Sequence, residues 1–165
     1  MKTRIIFSII VSFLTLTAVN AQQMKVDVAK STLNWKAEKV TGFHEGTVIV
    51  KSGQLKVENQ KVVSGSFEIN LESITCTDIT DAETNKTLIG HLKSADFFDV
   101  SNYPTATFVL TKQIDLSKAA TDVFGELTIK GIKKPISFKA VISKVGETYV
   151  FNANNIVVDR TIYNI

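Results

Sequence analysis

The chain has 165 residues, of which 21% are charged, and its 19 basic and 16 acidic residues give a formal net charge of +3. This length, with a hydrophobic fraction of 44%, predicts one domain with a sizeable core. Two basic residues, Lys2 and Arg4, lie in a predicted leader, so the rest of the chain has a net charge of only +1, which argues against a nucleic-acid-binding protein.

Residues 1–21 have the pattern of a secretory signal peptide. A positively charged start precedes an apolar run over 5–19, and small residues around Ala21 predict cleavage after that residue. The run is shorter than the ~20 apolar residues that a spanning helix needs. We therefore expect a mature protein, residues 22–165, that is periplasmic or secreted and has no membrane span.

Period-two alternation predicts β-strands over most of the mature chain. Leu33, Trp35 and Ala37, for example, alternate with polar residues. This alternation is typical of an antiparallel sheet with one buried face. Turn residues separate seven predicted strands, at 31–39, 45–56, 61–71, 105–114, 121–130, 133–145 and 147–158. Several of these strands are long, which favours a barrel over a sandwich of short strands.

The only cysteine, Cys76, follows the third predicted strand. A single cysteine excludes an internal disulfide, so burial and backbone hydrogen bonds must stabilise the exported fold. A reactive or intermolecular thiol is one interpretation. Because no motif surrounds Cys76, we prefer the interpretation that it is a small buried hydrophobic residue.

The exception to the strand pattern is a predicted helix over residues 80–94. Thr80 and Glu83 have the spacing of a capping box, and Leu88 and Leu92 share one helical face. We expect a single short helix, inserted between the third and fourth strands, that packs these leucines onto one end of the sheet.

The only two histidines are His44, before a strand, and His91, on the predicted helix. A zinc or iron site would need both of them and a carboxylate at one point, and they do not form a ligand-spaced pair. We therefore predict no metal and no cofactor, and we interpret both as hydrogen-bonding residues at a barrel mouth. Arg160 is a third mouth candidate, because a guanidinium suits an anionic head group, and it could also form a pair with Asp159.

Apolar residues at alternate positions are expected to line the barrel interior, with two adjacent phenylalanines either plugging one end or lining an entrance. The candidate lumen residues are Trp35, Phe67, Ile69, Phe97, Phe98, Phe108, Leu127, Phe138 and Phe151. A barrel of about eight strands is either packed with side chains or just wide enough for one small ligand, and periodicity alone does not separate these outcomes. Small residues such as Gly65 and Gly125 would leave room, which slightly favours a cavity.

Seven segments, in order and at suitable spacing, resemble the YceI-like family of lipocalin-like, polyisoprenoid-binding exported proteins. They are GFHEG at 42–46, SGSF at 64–67, LESI at 71–74, HLKSADFF at 91–98, YPTATF at 103–108, GELTIKG at 125–131 and VDRT at 158–161. The resemblance covers residues 31–165 and implies an eight-stranded antiparallel barrel that holds a long isoprenoid or similar amphiphile. Family members continue beyond the last segment with a closing strand. We therefore expect the domain, residues 22–165, to be C-terminally truncated, with open edges at its first and last strands that allow a homodimer.

We thus expect an all-β, antiparallel, lipocalin-like barrel with one short inserted helix that carries or sequesters a polyisoprenoid lipid and is not an enzyme. The first alternative is a small-molecule enzyme on the same barrel that uses His44 or His91 as acid or base. The second is a structural or partner-binding protein with a filled core. The enzyme alternative lacks a phosphate-binding loop, a nucleophile elbow and a Cys-x-x-Cys pair.

Overall fold

The computed structural model describes residues 21–39 and 42–165, and nearly all of the predicted signal peptide, residues 1–20, lies outside the described residues. The described chain folds mainly into strands of one antiparallel sheet. The strands are β1 (Gln22–Lys25), β2 (Leu33–Lys39), β3 (Gly42–Glu58), β4 (Lys61–Asn70), β5 (Thr105–Leu110), β6 (Ile114–Asp115), β7 (Ala120–Ile129), β8 (Ile132–Val145) and β9 (Thr148–Asn152). This confirms the predicted fold class.

The sheet curls into a half-barrel in the order β1-β3-β4-β5-β7-β8-β9. The 17-residue strand β3 pairs with β2 along its first half and with β1 and β4 along its second half. Strands β5 and β6 follow one another along β4. Within the described ranges no strand joins β9 to β2, so the two sides of the half-barrel are open edges, as the sequence predicted.

Two tight turns set the register of the sheet. Asn59 and Gln60 join β3 to β4 with φ values of 49° and 60°, and Lys130 and Gly131 join β7 to β8 with φ values of 51° and 73°. Two-residue loops with both φ values positive have the twist that antiparallel neighbours require. The side chain of Lys130 also donates to the carbonyl of Ala95 at 2.8 Å, which ties the second turn to the segment after the helix.

The last strand ends earlier than predicted, so its predicted C-terminal boundary is wrong. Strand β9 stops at Asn152, and Asn155 then adopts a left-handed conformation with φ of 58°, which an asparagine tolerates and which turns the chain out of the sheet. Residues Arg160–Tyr163 form a 3₁₀ helix that places Tyr163 in the core, where it is 1% exposed. The predicted strand at 105–114 is also interrupted between β5 and β6, and β1 was not predicted.

The inserted helix, α1 (Ala82–Lys93), confirms the predicted position but not the predicted cap. Asp81 is the N-cap, and its carboxylate accepts hydrogen bonds from the N–H of Thr84 at 2.8 Å and from its hydroxyl at 2.6 Å. An aspartate one residue after Thr80 therefore replaces the predicted capping box. Leu92 on this helix is buried. No helix within residues 21–39 and 42–165 has the length and apolar character needed to cross a membrane.

The core lies on the concave face of the sheet, between its strands and the C-terminal 3₁₀ helix. Its buried members are Val62, Leu71, Val100, Ala106, Phe108, Ile114, Leu116, Val123, Leu127, Ile129, Ala140, Ile142 and Tyr163. Four further buried residues, Val48, Ile74, Cys76 and Leu92, lie outside this cluster. The described domain therefore has a main core and separately buried positions on β3, α1 and the segment that follows β4.

Candidate functional site

The concave face of the sheet carries aromatic and aliphatic side chains in register. Phe67 pairs with Phe108 across β4 and β5, and Phe108 pairs with Leu127 across β5 and β7. The centroid of the Phe108 ring lies 6.0 Å from that of Phe67 and 5.8 Å from that of Phe138. Together with Ile69, these residues pack in or against one core, which agrees with the predicted register. Contact with a ligand stays a prediction.

This concave face is only partly covered. Phe108 and Leu127 are buried at its base, whereas other apolar residues on the same face are half-buried. We call these half-buried residues the inner trough: Phe67, Ile69, Ile136, Phe138 and Phe151. An accessible run of apolar side chains between two open sheet edges is a surface on which an apolar chain can be buried.

The room expected beside two of the small residues is occupied. A Cβ atom at Gly125 would overlap the ring of Phe108, and one at Gly65 would lie 2.5 Å from a methyl group of Leu55. Neighbouring side chains therefore pack directly against the backbone at these glycines. The expectation that Gly65 and Gly125 leave a cavity is wrong, and the accessible apolar surface of the site comes from the open side of the sheet.

The concave face also carries a cation, Lys134, that was not among the predicted site residues. Lys134 pairs with buried Leu127 and stands between half-buried Ile132 and Ile136 on β8, whereas Lys133 faces outward. Among the described residues, the Lys134 ammonium group has no hydrogen bond or ion pair. A charge beside apolar side chains must reach water or a counter-charge. The alternation of β8 could have placed Lys134 on the concave face, because this lysine has the same parity as Ile132 and Ile136.

Two of the predicted mouth residues meet at Phe97. The ring of His91 lies 5.6 Å from that of Phe97 in an edge-on arrangement, and the guanidinium of Arg160 lies 5.6 Å from the same ring. Phe97 in turn contacts Phe98, with 5.0 Å between ring centroids, and Phe98 packs against the core. These four residues form a cluster beside the C-terminal end of α1, which we call the aromatic mouth.

Asp159, which could have paired with Arg160, instead caps the C-terminal 3₁₀ helix. The Asp159 carboxylate accepts from the N–H of Thr161 at 2.9 Å and from its hydroxyl at 2.6 Å, at the start of the C-terminal 3₁₀ helix. These two bonds lower the pKa of Asp159. Arg160 is therefore oriented by its contact with Phe97 rather than by an ion pair with its neighbour.

Trp35 lies apart from the inner trough. Its indole N–H donates to the carbonyl of Thr75 at 3.0 Å, and its ring packs across Gly46, where a Cβ atom would lie 2.9 Å from the indole. The side chain thus fastens β2 to the segment that follows β4. The local alternation of polar and apolar residues could not predict this contact, because Thr75 lies 40 residues away along the chain.

His44 belongs to a different cluster from His91. Its Nδ1 atom lies 2.8 Å from one carboxylate oxygen of Asp78, and the other oxygen accepts from the N–H of Glu45 at 2.9 Å and from the thiol of Cys76 at 3.1 Å. The Glu45 N–H, helped by His44 and Cys76, holds the pKa of Asp78 well below its usual value. Burial, followed by the bond to Asp78, raises the pKa of the Cys76 thiol.

We expect acid to weaken the attachment of Asp78 to β3. Because the folded-state pKa of Asp78 lies below its usual value of 3.8, the ionised group stabilises the fold above that pH, and this contribution is lost as the pH falls through the folded-state pKa. The substitution Asp78→Asn should therefore lower the free energy of unfolding at pH 7 and reduce its loss on acidification below pH 4. Urea denaturation of both proteins at pH 7 and pH 3 measures this, and identical acid sensitivity would contradict it.

Comparison with known proteins identifies relatives over most of the chain. A family model described as the YceI-like domain matches residues 24–165. A UPF0312 protein of Vibrio vulnificus strain YJ016 is 29% identical over 133 residues, which cover 79% of this chain and 68% of the relative. A UPF0312 protein of Pseudomonas putida strain W619 is 31% identical over 116 residues, covering 70% and 58% of the two chains. The crystal structure of BcnA from Burkholderia cenocepacia superposes with a TM-score of 0.68 at 26% identity, covering 85% of this chain and 84% of that one.

Proposed function

The chain belongs to the YceI-like domain family, and from this premise we propose that it binds a polyisoprenoid lipid in its inner trough and carries or sequesters it. The observation that supports the proposal is the half-buried row of apolar side chains on the concave face. Burying apolar surface contributes about 25 cal/mol per Å², so a long apolar chain laid along this face would supply most of the binding free energy.

Export is part of the same proposal. The positively charged start and apolar run of residues 1–21 favour a signal peptide and a periplasmic or secreted protein, where a lipid needs a carrier through an aqueous space. The open edges at β2 and β9 supply unpaired backbone groups through which two copies could associate as a homodimer.

We also propose that the protein is not an enzyme. The thiol of Cys76 is buried and its pKa is raised, which is the opposite of what a thiolate nucleophile requires. His91 contacts an aromatic ring and His44 contacts Asp78, in two separate clusters. Substituting either histidine with glutamine should weaken lipid binding only modestly. A turnover that one such substitution eliminates, with lipid binding intact, would instead favour the enzyme alternative.

Native mass spectrometry of the mature protein purified from its host tests the proposed function directly. We expect a second species, heavier by the mass of one lipid, that disappears after extraction with organic solvent and returns on addition of a polyprenol. A protein that is empty as purified and does not take up polyprenols would contradict the proposal and favour the structural alternative with a filled core.

The position of Lys134 predicts a preference for lipids with an anionic end. We expect Lys134→Met to weaken binding of farnesyl phosphate about tenfold or more, because a hydrogen bond to a charged group contributes roughly 1.5–3 kcal/mol. Binding of farnesol should change less. Isothermal titration calorimetry with both ligands measures the difference.

The matched control is Lys133→Met, on the same strand but facing outward, where Lys133 pairs with Glu126 at 3.3 Å in an exposed ion pair of small energetic value. We expect this variant to bind both ligands like the unaltered protein. If both variants lost the same affinity for farnesyl phosphate, the loss would come from the reduced net charge of the protein and not from a contact between the ligand and Lys134.

A further inference from the structure

Three different metal-binding side chains converge outside the inner trough. The Nδ1 or Nε2 of His44, the Sγ of Cys76 and a carboxylate oxygen of Asp78 all lie within 4.8 Å of one another. The sequence alone predicted no metal site, because the two histidines do not form a ligand-spaced pair. The structure instead brings one histidine of β3 to a Cys-x-Asp sequence that lies more than thirty positions further along the chain.

The two segments that supply these side chains are fastened to each other independently of the cluster. The N–H of Thr75 donates to the carbonyl of Thr47 at 2.9 Å, and the N–H of Thr77 donates to the carbonyl of Glu45 at 2.8 Å, so this segment lies along β3 like a short added strand. From α1, the side-chain amide of Asn85 donates to the carbonyl of Cys76 at 2.9 Å. The donor atoms are therefore held on an anchored backbone, as a preorganised metal site requires.

We propose that His44, Cys76 and Asp78 bind one divalent transition-metal ion of the zinc class, with the fourth coordination position open to water or an external ligand. Imidazole, thiolate and carboxylate are all zinc ligands, and three protein ligands with one open position is a recurrent zinc arrangement. The softness of the thiolate selects such an ion over magnesium or calcium, which prefer oxygen ligands alone.

The ligand atoms lie close to, but not at, the spacing that the ion requires. Metal–ligand bonds of about 2.0–2.3 Å at tetrahedral angles separate the donor atoms by roughly 3.2–3.6 Å. In the structure His44 lies 2.8 Å from one carboxylate oxygen of Asp78, Cys76 lies 3.1 Å from the other oxygen, and the ligand atoms of the three residues all lie within 4.8 Å of one another. Metal binding would therefore lengthen the contacts with Asp78 by a few tenths of an ångström and bring any wider pair of ligand atoms closer together.

The metal ion can reach the three side chains from solvent, and the proton that the Cys76 thiol must lose can leave to solvent. The side chains of His44 and Asp78 are 26% and 21% exposed, so an ion can enter from solvent, whereas Cys76 is buried. On binding, the Cys76 thiol releases its proton to solvent, the metal–sulfur bond forms, and the hydrogen bond from the thiol to Asp78 is lost. The site then holds a 2+ ion with two anionic ligands and one neutral ligand.

Titration of the reduced, metal-free mature protein with Co²⁺ tests the proposal. We expect a thiolate-to-cobalt charge-transfer band in the near ultraviolet, visible bands of four-coordinate cobalt, saturation at one equivalent, and loss of all of them when Zn²⁺ is added. Cys76→Ser should remove the charge-transfer band. His44→Gln should weaken Co²⁺ binding at least about tenfold, since even residues that only support a ligand contribute that much.

The matched control is His91→Gln, which removes the other histidine and should leave Co²⁺ binding unchanged. Asp78→Asn is a further ligand variant. Should it fail to fold, His44→Gln still tests the site, because it keeps the hydrogen bonds that the Glu45 N–H and the Cys76 thiol donate to Asp78. The proposal would be overturned if the charge-transfer band were absent, if it survived Cys76→Ser, or if His91→Gln weakened it as much as His44→Gln does. The cluster would then serve only to hold this segment against β3 through hydrogen bonds.

Discussion

Replacing Phe138 with glutamate is expected to abolish polyisoprenoid binding. Phe138 is half-buried in the inner trough, with its ring 5.8 Å from that of Phe108. A carboxylate here would have to lose its hydration when an apolar chain is laid over it, and burying an uncompensated charge costs at least about 3 kcal/mol. At 1.4 kcal/mol for each factor of ten, the dissociation constant should rise more than about a hundredfold. Displacement of a fluorescent polyprenol analogue measures this change.

The control for this substitution lies three residues further along the same strand. Val141 faces outward on β8 and is 55% exposed, so Val141→Glu introduces the same charge without entering the trough. Both variants should retain the circular dichroism spectrum of the unaltered protein, and only Phe138→Glu should lose binding. Retained binding in Phe138→Glu, or equal loss in both folded variants, would contradict the assignment of the trough as the lipid site.

Replacing Tyr163 with alanine is expected to produce the largest loss of stability among these substitutions. Tyr163 is 1% exposed, and it inserts from the C-terminal 3₁₀ helix into a core that contains Leu127 and Ile129. Truncating a large buried aromatic side chain leaves a cavity and typically costs about 3–5 kcal/mol. Urea denaturation should therefore show a much lower midpoint, with loss of both helical and strand signals in one transition.

Tyr163→Phe separates the contribution of packing from that of the hydroxyl group. The hydroxyl lies 3.5 Å from the carbonyl oxygen of Leu127, which is too long for a strong hydrogen bond, so this variant should lose only about 1 kcal/mol or less. A Tyr163→Ala protein as stable as the Tyr163→Phe protein would show that the C-terminal segment does not contribute to the core.

The register of the sheet could be predicted because it depends on local alternation. In a strand that is buried on one face, every second residue must be apolar, so the common parity of Phe67 and Ile69 already placed them on the same face. The same rule would have found Lys134 had the polar residues of inward parity been considered along with the apolar ones. The cap at Asp81 was missed because two neighbouring residues, Thr80 and Asp81, both have side chains that suit an N-cap.

The remaining features depend on contacts between distant parts of the chain. The alternation of 147–158 continues past Asn152, but the chain leaves the sheet and returns to bury Tyr163 in the core. His44, Cys76 and Asp78 come together only because the segment after β4 lies along β3. Neither arrangement has a local pattern, since each is set by which backbone groups find partners once the sheet has formed.

The open edges of the half-barrel have a consequence for how a lipid would be selected. In a closed barrel a chain must thread in through one end, so the depth of the barrel limits the length that can be accommodated. Among the residues that the structure describes, no strand closes the sheet between β2 and β9, so an apolar chain could bind to the concave face from the side. We therefore expect the proposed lipid site to discriminate by the width and stiffness of the chain rather than by the number of isoprene units, with an association rate that does not fall as the chain grows longer.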